Sequence, residues 1–315
     1  MSKRCLYCYA QLDPVYKDFH PACSKAFFGT VEPPELEYTL EQMADLAAQV
    51  VQRSVTVPGV QPKLSLTLVK ETLADGKKGR LTIMGTLGGN YILKPPHADF
   101  PEMPQNEHLT MRMAESFGLP VVRSSLIRLS SGELAYITKR IDRTAEGGKI
   151  HMLDMFQILE AFDKYKGSME KVGKAISEHA ENTMLDLLNF YELTIFCFLT
   201  GNNDMHLKNF SMIARNNTWH LAPGYDLLNV SIVNPADKEE LALTLNARKS
   251  KFNRARFEEF GQNLGFTKRQ IDAVFKRLER NKKKAVDIIG VSFLSDKYKK
   301  KYLKVLSDRY ERISS

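Results

Sequence analysis

Gly201-Asn-Asn-Asp-Met-His-Leu-Lys-Asn-Phe-Ser211, followed by Ala222-Pro-Gly-Tyr-Asp-Leu-Leu-Asn229, is the stretch on which the reading of this chain turns. Four residues separate Asp204 from Asn209, and Asp226 follows after a short apolar, turn-rich segment. Oxygens at these intervals suit two tasks: taking a hydroxyl proton and holding a hard divalent cation. An Asp, an Asn five positions on and a later Asp are the residues with which a phosphotransferase loop orients a hydroxyl and binds magnesium.

Phosphoryl transfer asks little covalent chemistry of a protein; it needs positioned phosphates, a divalent metal and an oriented nucleophile. Asn209 and Asp226 would hold Mg2+, Asp204 would accept the substrate's proton, and Lys208 would place a charge on the transferring phosphate. His206 lies inside the loop, either as a phosphate or proton ligand or as a scaffold hydrogen-bonder. The N-terminal half supplies the complement. Lys94 closes a strand from which a lysine reaches the α- and β-phosphates of ATP, and Glu107 on the next helix is its ion-pair partner. Val57-Pro-Gly-Val-Gln-Pro-Lys63 is a turn able to cover phosphates with backbone N–H groups, although it holds one glycine and is a weak nucleotide signal alone. Each residue also has an ordinary reading. Asp204 and Asn209 suit caps and turns, and Lys94 and Glu107 suit a solvated surface. The order of the set carries the functional reading: strand lysine, helix glutamate, D-x4-N loop, hairpin, aspartate.

The chain has 315 residues, enough for two lobes. Formal net charge is +8, with basic runs at residues 248–256, 276–284 and 297–304. Such a field suits acidic partners, nucleic acid or a protein bound to it among them, or simply solvated helix faces. No run of about eighteen apolar residues suggests a membrane span, and the N-terminus has no apolar signal core. A cytoplasmic protein without membrane attachment is the expectation.

Three of the four cysteines crowd the first 23 residues, as Cys5-Leu-Tyr-Cys8 and His20-Pro-Ala-Cys23. Two x2-spaced pairs joined by a short loop can close a tetrahedral Cys3His zinc site. So short a segment builds little core alone, and a metal could supply its folding energy. No ligand is spare for catalysis, so the predicted Zn2+ is structural. Cys197, within an apolar run, reads as a core residue.

The pattern predicts a Cys/His segment at 1–30, a strand-rich lobe at 31–143 and a helical lobe at 144–315, an α+β molecule. Thr39 and Gln42 form a capping box for a helix over 39–51. Strands are expected near 64–69 and 90–94, a helix over 105–117, and two strands within 119–138 joined at Ser130-Ser-Gly132. Helices follow over 152–162, 168–177 and 182–199. Strands over 210–214 and 218–222 form a hairpin turning at Arg215-Asn-Asn217, and helices close the chain at 254–263 and 268–284.

On Gly59-Val-Gln-Pro-Lys63, Tyr91-Ile-Leu-Lys94, Thr138-Lys-Arg-Ile-Asp-Arg143, the 204–211 loop and Tyr225-Asp-Leu-Leu228, the chain resembles the HipA family of Ser/Thr kinase toxins. The resemblance implies a two-lobed, protein-kinase-like fold. Asp204 matches the catalytic Asp, Asn209 and Asp226 the magnesium ligands, and Lys94 the ATP lysine. Lys139, Arg140 and Ile141 fall where the hinge binds adenine, and Gly59, Gln61 and Lys63 fall in the phosphate-covering loop. It also implies autophosphorylation just before that loop, where Ser54 and Thr56 resemble the paired sites of the shorter HipT members. Thr56 stands at the family's modified serine. Only the Cys/His segment and one helix precede the kinase here. That looks like the split systems, in which a separate HipS-like subunit carries the missing N-terminal subdomain. The implied partners are a DNA-binding HipB-like antitoxin, with nucleic acid engaged indirectly, and a protein substrate. The family's targets are aminoacyl-tRNA synthetases, and the outcome would be growth arrest and persistence. A catalytically silent regulator binding an antitoxin–DNA complex, and a small-molecule or lipid kinase on the same scaffold, are the competing readings.

Overall fold

In the computed structural model, residues 3–43, 45–46, 63–70, 79–84, 89–144 and 146–314 are described. The chain forms two compact units. The first comprises 1–108, 122–148 and 291–293; the second comprises 109–121, 149–290 and 294–315.

The first unit is built on an antiparallel sheet of β1 (Leu64–Lys70), β2 (Gly79–Met84), β3 (Tyr91–Lys94), β4 (Ser124–Arg128) and β5 (Leu134–Lys139), in the order β2-β1-β3-β5-β4. Helix α1 (Pro21–Phe28) precedes the sheet, and α2 (Met103–Ser116) contributes residues to both units. Gly89 is fixed by geometry: its φ is +85°, and a Cβ would lie 2.4 Å from the carbonyl oxygen of Leu66. That close approach lets Asn90 N–H donate to Leu66 O at 2.9 Å as β3 begins. Thr39 and Gln42 exchange side-chain and backbone hydrogen bonds at 2.9 and 3.2 Å, the expected capping box. Residues 40–43 and 45–46 are helical, and the rest of that helix lies outside the described residues.

The Cys/His segment does not stand apart. Cys5, Leu6, Phe19, Phe27 and Phe28 share one apolar cluster with Leu64, Leu66, Leu93, Leu126 and Ile137 of the sheet. Leu126 N–H donates to Leu6 O at 3.2 Å, and Arg128 grips Asp18 through two guanidinium nitrogens at 2.9–3.3 Å. This segment therefore draws folding energy from the sheet's core, beside whatever a metal would add.

The second unit holds α3 (Met155–Ile158), α4 (Met169–His179), α5 (Thr183–Thr200), α6 (Val230–Val233), α7 (Arg254–Asn263), α8 (Lys268–Val291) and α9 (Asp296–Ser314). Its sheet is β6 (Met152–Asp154), β7 (Ser211–Arg215) and β8 (Thr218–Leu221), in that order and antiparallel. The β7–β8 turn is made by Asn216 and Asn217, both left-handed (φ +50° and +63°), as a tight hairpin with right-handed twist requires. Helix α5 has the length and mean hydropathy (1.2) of a membrane span, but 72% of that stretch is buried inside the protein, as in a core helix. Cys197 on it is fully buried, as predicted.

Several elements differ from expectation. Residues 152–154 pair with β7 as a strand, and only one helical turn follows, capped reciprocally by Asp154 and Gln157. Strand β2 and helices α1, α6 and α9 were not anticipated. The lysine run of 297–304 masks the apolar stripe Tyr302, Leu306, Tyr310 and Ile313 that seats α9.

Candidate active site

The loop after α5 starts at Gly201, where the helix ends in left-handed backbone (φ +69°). A Cβ there would also meet Asn229 Oδ1 at 2.8 Å and Ser231 Oγ at 2.9 Å, so only glycine fits. The buried side chains of Met205, Leu207 and Phe210 anchor the loop from below. Asn203, itself buried, donates through Nδ2 to Asp237 Oδ2 (2.9 Å) and Glu239 O (3.1 Å), tying the loop to the chain beyond α6.

Between these anchors the Asp204 carbonyl accepts from His206 N–H at 2.8 Å and from Asn209 Nδ2 at 3.0 Å. This closes the 204–209 turn and aligns Asp204 with Asn209. With its Nδ2 held by Asp204, the Asn209 amide has its oxygen end for a cation, which fits a magnesium ligand. Tyr225 donates to Lys208 O at 3.0 Å, so at the 2.6 Å contact with Ser211 Oγ the serine is the donor. That pair ties the segment leaving β8 to the loop, and Asp226 follows directly. Asp226 is left-handed (φ +62°) without being glycine, a conformation that persists only where surroundings enforce it. Its negative charge acts on both His206 and Tyr225. A carboxylate and an amide oxygen beside one loop are the donor set magnesium prefers.

His206 is buried, its ring packed edge-on to Tyr165 at 5.1 Å. Burial holds its imidazole below the usual range, with Asp204 opposing and Lys164 reinforcing. Lys208 is exposed, and its Nζ lies 4.7 Å from the Phe156 ring centroid. Burial raises the Asp154 carboxyl, with Gln157 N–H and Lys208 pulling it back.

In the first unit, Lys94 Nζ donates to Glu107 Oε1 at 2.6 Å with both residues buried, and Nζ lies 5.4 Å from the Tyr136 ring centroid. Lys139, Arg140 and Ile141 leave β5 together. Arg140 N–H donates to Asn90 O at 2.8 Å, and its guanidinium grips Asp142 at 2.9 and 2.6 Å. Lys139 Nζ sits 5.7 Å from the Phe27 ring centroid, and burial lowers its ammonium's pKa, followed by Arg123. Lys63 is exposed, whereas Gly59, Gln61, Ser54 and Thr56 lie outside the described residues.

Cys5, Cys8, His20 and Cys23 have ligand atoms all within 4.8 Å of one another. The His20 Nδ1 to Sγ distances are 3.5 Å to Cys8 and 3.7 Å to Cys23. A tetrahedral ion with Zn–S near 2.3 Å and Zn–N near 2.0–2.1 Å demands S···N edges of about 3.5 Å, so the set fits zinc. His20 Nε2 lies 3.0 Å from Gln11 O; donating there leaves Nδ1 as the ligand atom. The hydrogen bond between Cys5 and Cys8 pulls the Cys5 thiol down and pushes that of Cys8 up.

Sequence reading missed Tyr165, whose hydroxyl donates to Asp204 Oδ1 at 2.8 Å, and the Tyr225–Ser211 pair. Neither stands in a spacing that advertises chemistry.

Comparison with known proteins gives the family. Residues 55–286 match the family model described as the HipA-like C-terminal domain. The chain belongs to that family of HipA-like kinases. A Haemophilus influenzae protein named "Putative kinase" is 28% identical over 291 residues, covering 83% of this chain and 82% of its own length. The Shewanella oneidensis serine/threonine-protein kinase toxin HipA is 25% identical over 61% of this chain, and the match spans 47% of that toxin. The fold matches a chain of the Shewanella oneidensis MR-1 complex of HipA, HipB and operator DNA (TM-score 0.69, 20% identity, 89% of this chain and 72% of that chain). It also matches the Helicobacter pylori proinflammatory kinase CtkA (TM-score 0.52, 17% identity, 74% of this chain and 88% of that chain).

Proposed function

We propose that the chain is an ATP- and magnesium-dependent protein serine/threonine kinase, the toxin of a HipA-like toxin–antitoxin system. The observation that carries this reading is the 204–209 turn, where Asp204 and Asn209 are locked to one another at 3.0 Å with Asp226 tied alongside. Asp204 takes the acceptor hydroxyl's proton, Asn209 and Asp226 hold magnesium, and Lys208 meets the transferring phosphate. His206 is scaffold. Lys94, oriented by Glu107, holds the α- and β-phosphates, with Gly59, Gln61 and Lys63 covering them and Lys139 to Ile141 against adenine. Bound magnesium would neutralise charge on the phosphoryl oxygens.

Self-phosphorylation at Thr56 or Ser54 would silence the kinase. A HipB-like antitoxin is the proposed partner, supported by the HipB and operator DNA present in the matched Shewanella complex, with a HipS-like subunit as a further partner. An aminoacyl-tRNA synthetase is the proposed target. Incubated with γ-labelled ATP and magnesium, the wild-type chain is expected to label itself, and the Ser54→Ala/Thr56→Ala double variant to lose most of that label. Equal labelling of the two would remove the self-silencing step. MgATP binding with no transfer at all would point to a silent regulator.

We also propose that Cys5, Cys8, His20 and Cys23 hold one structural zinc. Because the segment shares the sheet's core, metal removal should loosen it without unfolding the whole chain. Metal analysis should find about one zinc per chain, and a strong chelator should lower the melting temperature of the wild type but not of Cys8→Ser. Protein purified without chelator and free of zinc would end this assignment.

A further inference from the structure

Tyr165 has no part in the roles given above, yet among the described residues it makes the one hydrogen bond to the Asp204 side chain, at Oδ1 and 2.8 Å. The segment that carries it is fastened on both sides. Leu207 N–H donates to Lys164 O at 3.1 Å, Tyr165 N–H to Asp163 Oδ1 at 2.9 Å, and Thr244 Oγ1 to Gly167 O at 3.2 Å. Gly167 packs so closely on Leu207 that a Cβ would sit 3.0 Å from its side chain. The Tyr165 ring stands edge-on to His206 at 5.1 Å and 80°, and Lys164 Nζ lies 4.9 Å from its centroid. Although Tyr165 is 41% exposed, its backbone is fastened and its ring packs against His206, which directs its hydroxyl to Asp204.

We propose that Tyr165 is a positioning residue for Asp204, fixing one carboxylate oxygen so that the other faces the acceptor hydroxyl. The inference rests on Asp204 being the catalytic base. The backbone of Asp204 is already held by His206 N–H and Asn209 Nδ2 at its carbonyl, but the torsion that turns its carboxylate is broad and soft. Tyr165 supplies the missing constraint. Its phenol remains a donor because burial, and then the charges of Asp204, Asp163 and Asp237, raise its pKa. The wider consequence is that the 163–167 segment, distant in sequence from the loop, belongs to the acceptor side of the site.

The test is a double-mutant cycle on the full chain with MgATP, reading total γ-phosphate released to solution and to protein. Tyr165→Phe keeps the ring on His206 and removes only the hydroxyl. It should lower kcat about tenfold and leave KM for MgATP within about twofold, since orientation rather than nucleotide binding is lost. In the Asp204→Asn background the same change should have no further effect, because there is no base left to orient. Wild-type turnover in Tyr165→Phe, or an equal loss in both backgrounds, would overturn the proposal. A rise in kcat would overturn it too, and would mean that the phenol occupies the acceptor's place. If Asp204→Asn itself turns over like the wild type, it is the base assignment that fails. Melting curves of each variant separate these outcomes from misfolding.

Discussion

Asp204→Asn is expected to lower the rate of phosphate transfer from MgATP by about a thousandfold, within the span that a positioned general base contributes. The substitution changes little else. The amide is isosteric, its oxygen can still accept from Tyr165, and the main-chain carbonyl of residue 204 keeps its bonds from His206 and Asn209. Affinity for MgATP should stay within a few-fold, because neither proposed magnesium ligand is altered. Initial rates with labelled ATP, beside a melting curve, check this. A variant that melts like the wild type and transfers phosphate at the wild-type rate would remove Asp204 from the chemistry.

The second large effect concerns Lys94 and Glu107. Their side chains are 5% and 2% exposed and 2.6 Å apart. Removing one member of so buried a pair leaves the other's charge without its closest counter-ion, which costs on the order of 3–5 kcal/mol. Lys94→Met should therefore lower the melting temperature by roughly 6–20 °C, taking about 2–4 °C per kcal/mol for a large domain. It should also abolish MgATP binding. The double variant Lys94→Met/Glu107→Leu removes both charges and fills the space with apolar groups, so much of the stability should return while nucleotide binding does not. Calorimetric melting and nucleotide titration of the three proteins separate the pair's structural part from its role on phosphate.

What could be read in advance follows from where each signal lies. The 204–209 turn, the Asn216-Asn217 hairpin and the Thr39/Gln42 capping box are local devices, and each stands in the structure where its residues predict it. Helix α7 matches its predicted range, and the ligand atoms of the Cys/His segment cluster as the spacing requires. Long-range pairing overrides local pattern elsewhere. Met152, Leu153 and Asp154 carry helix-compatible spacing, but β7 offers them a free edge, and they join it as a strand. Strand β2 was missed although Leu81, Thr82 and Ile83 alternate, and Leu81 is fully committed to the core. Tyr165 was invisible because its role depends on a contact across 39 positions of sequence. No spacing rule reaches so far.

Phosphoamino-acid analysis after incubation with γ-labelled ATP and magnesium addresses the kinase assignment most directly, because it reports the bond the γ-phosphate ends in. The label is expected on serine or threonine of a protein, this chain or a co-incubated lysate protein, and to be absent with Asp204→Asn. Label recovered only as free phosphate or in a small molecule or lipid, or recovered equally with the Asp204→Asn variant, would contradict it.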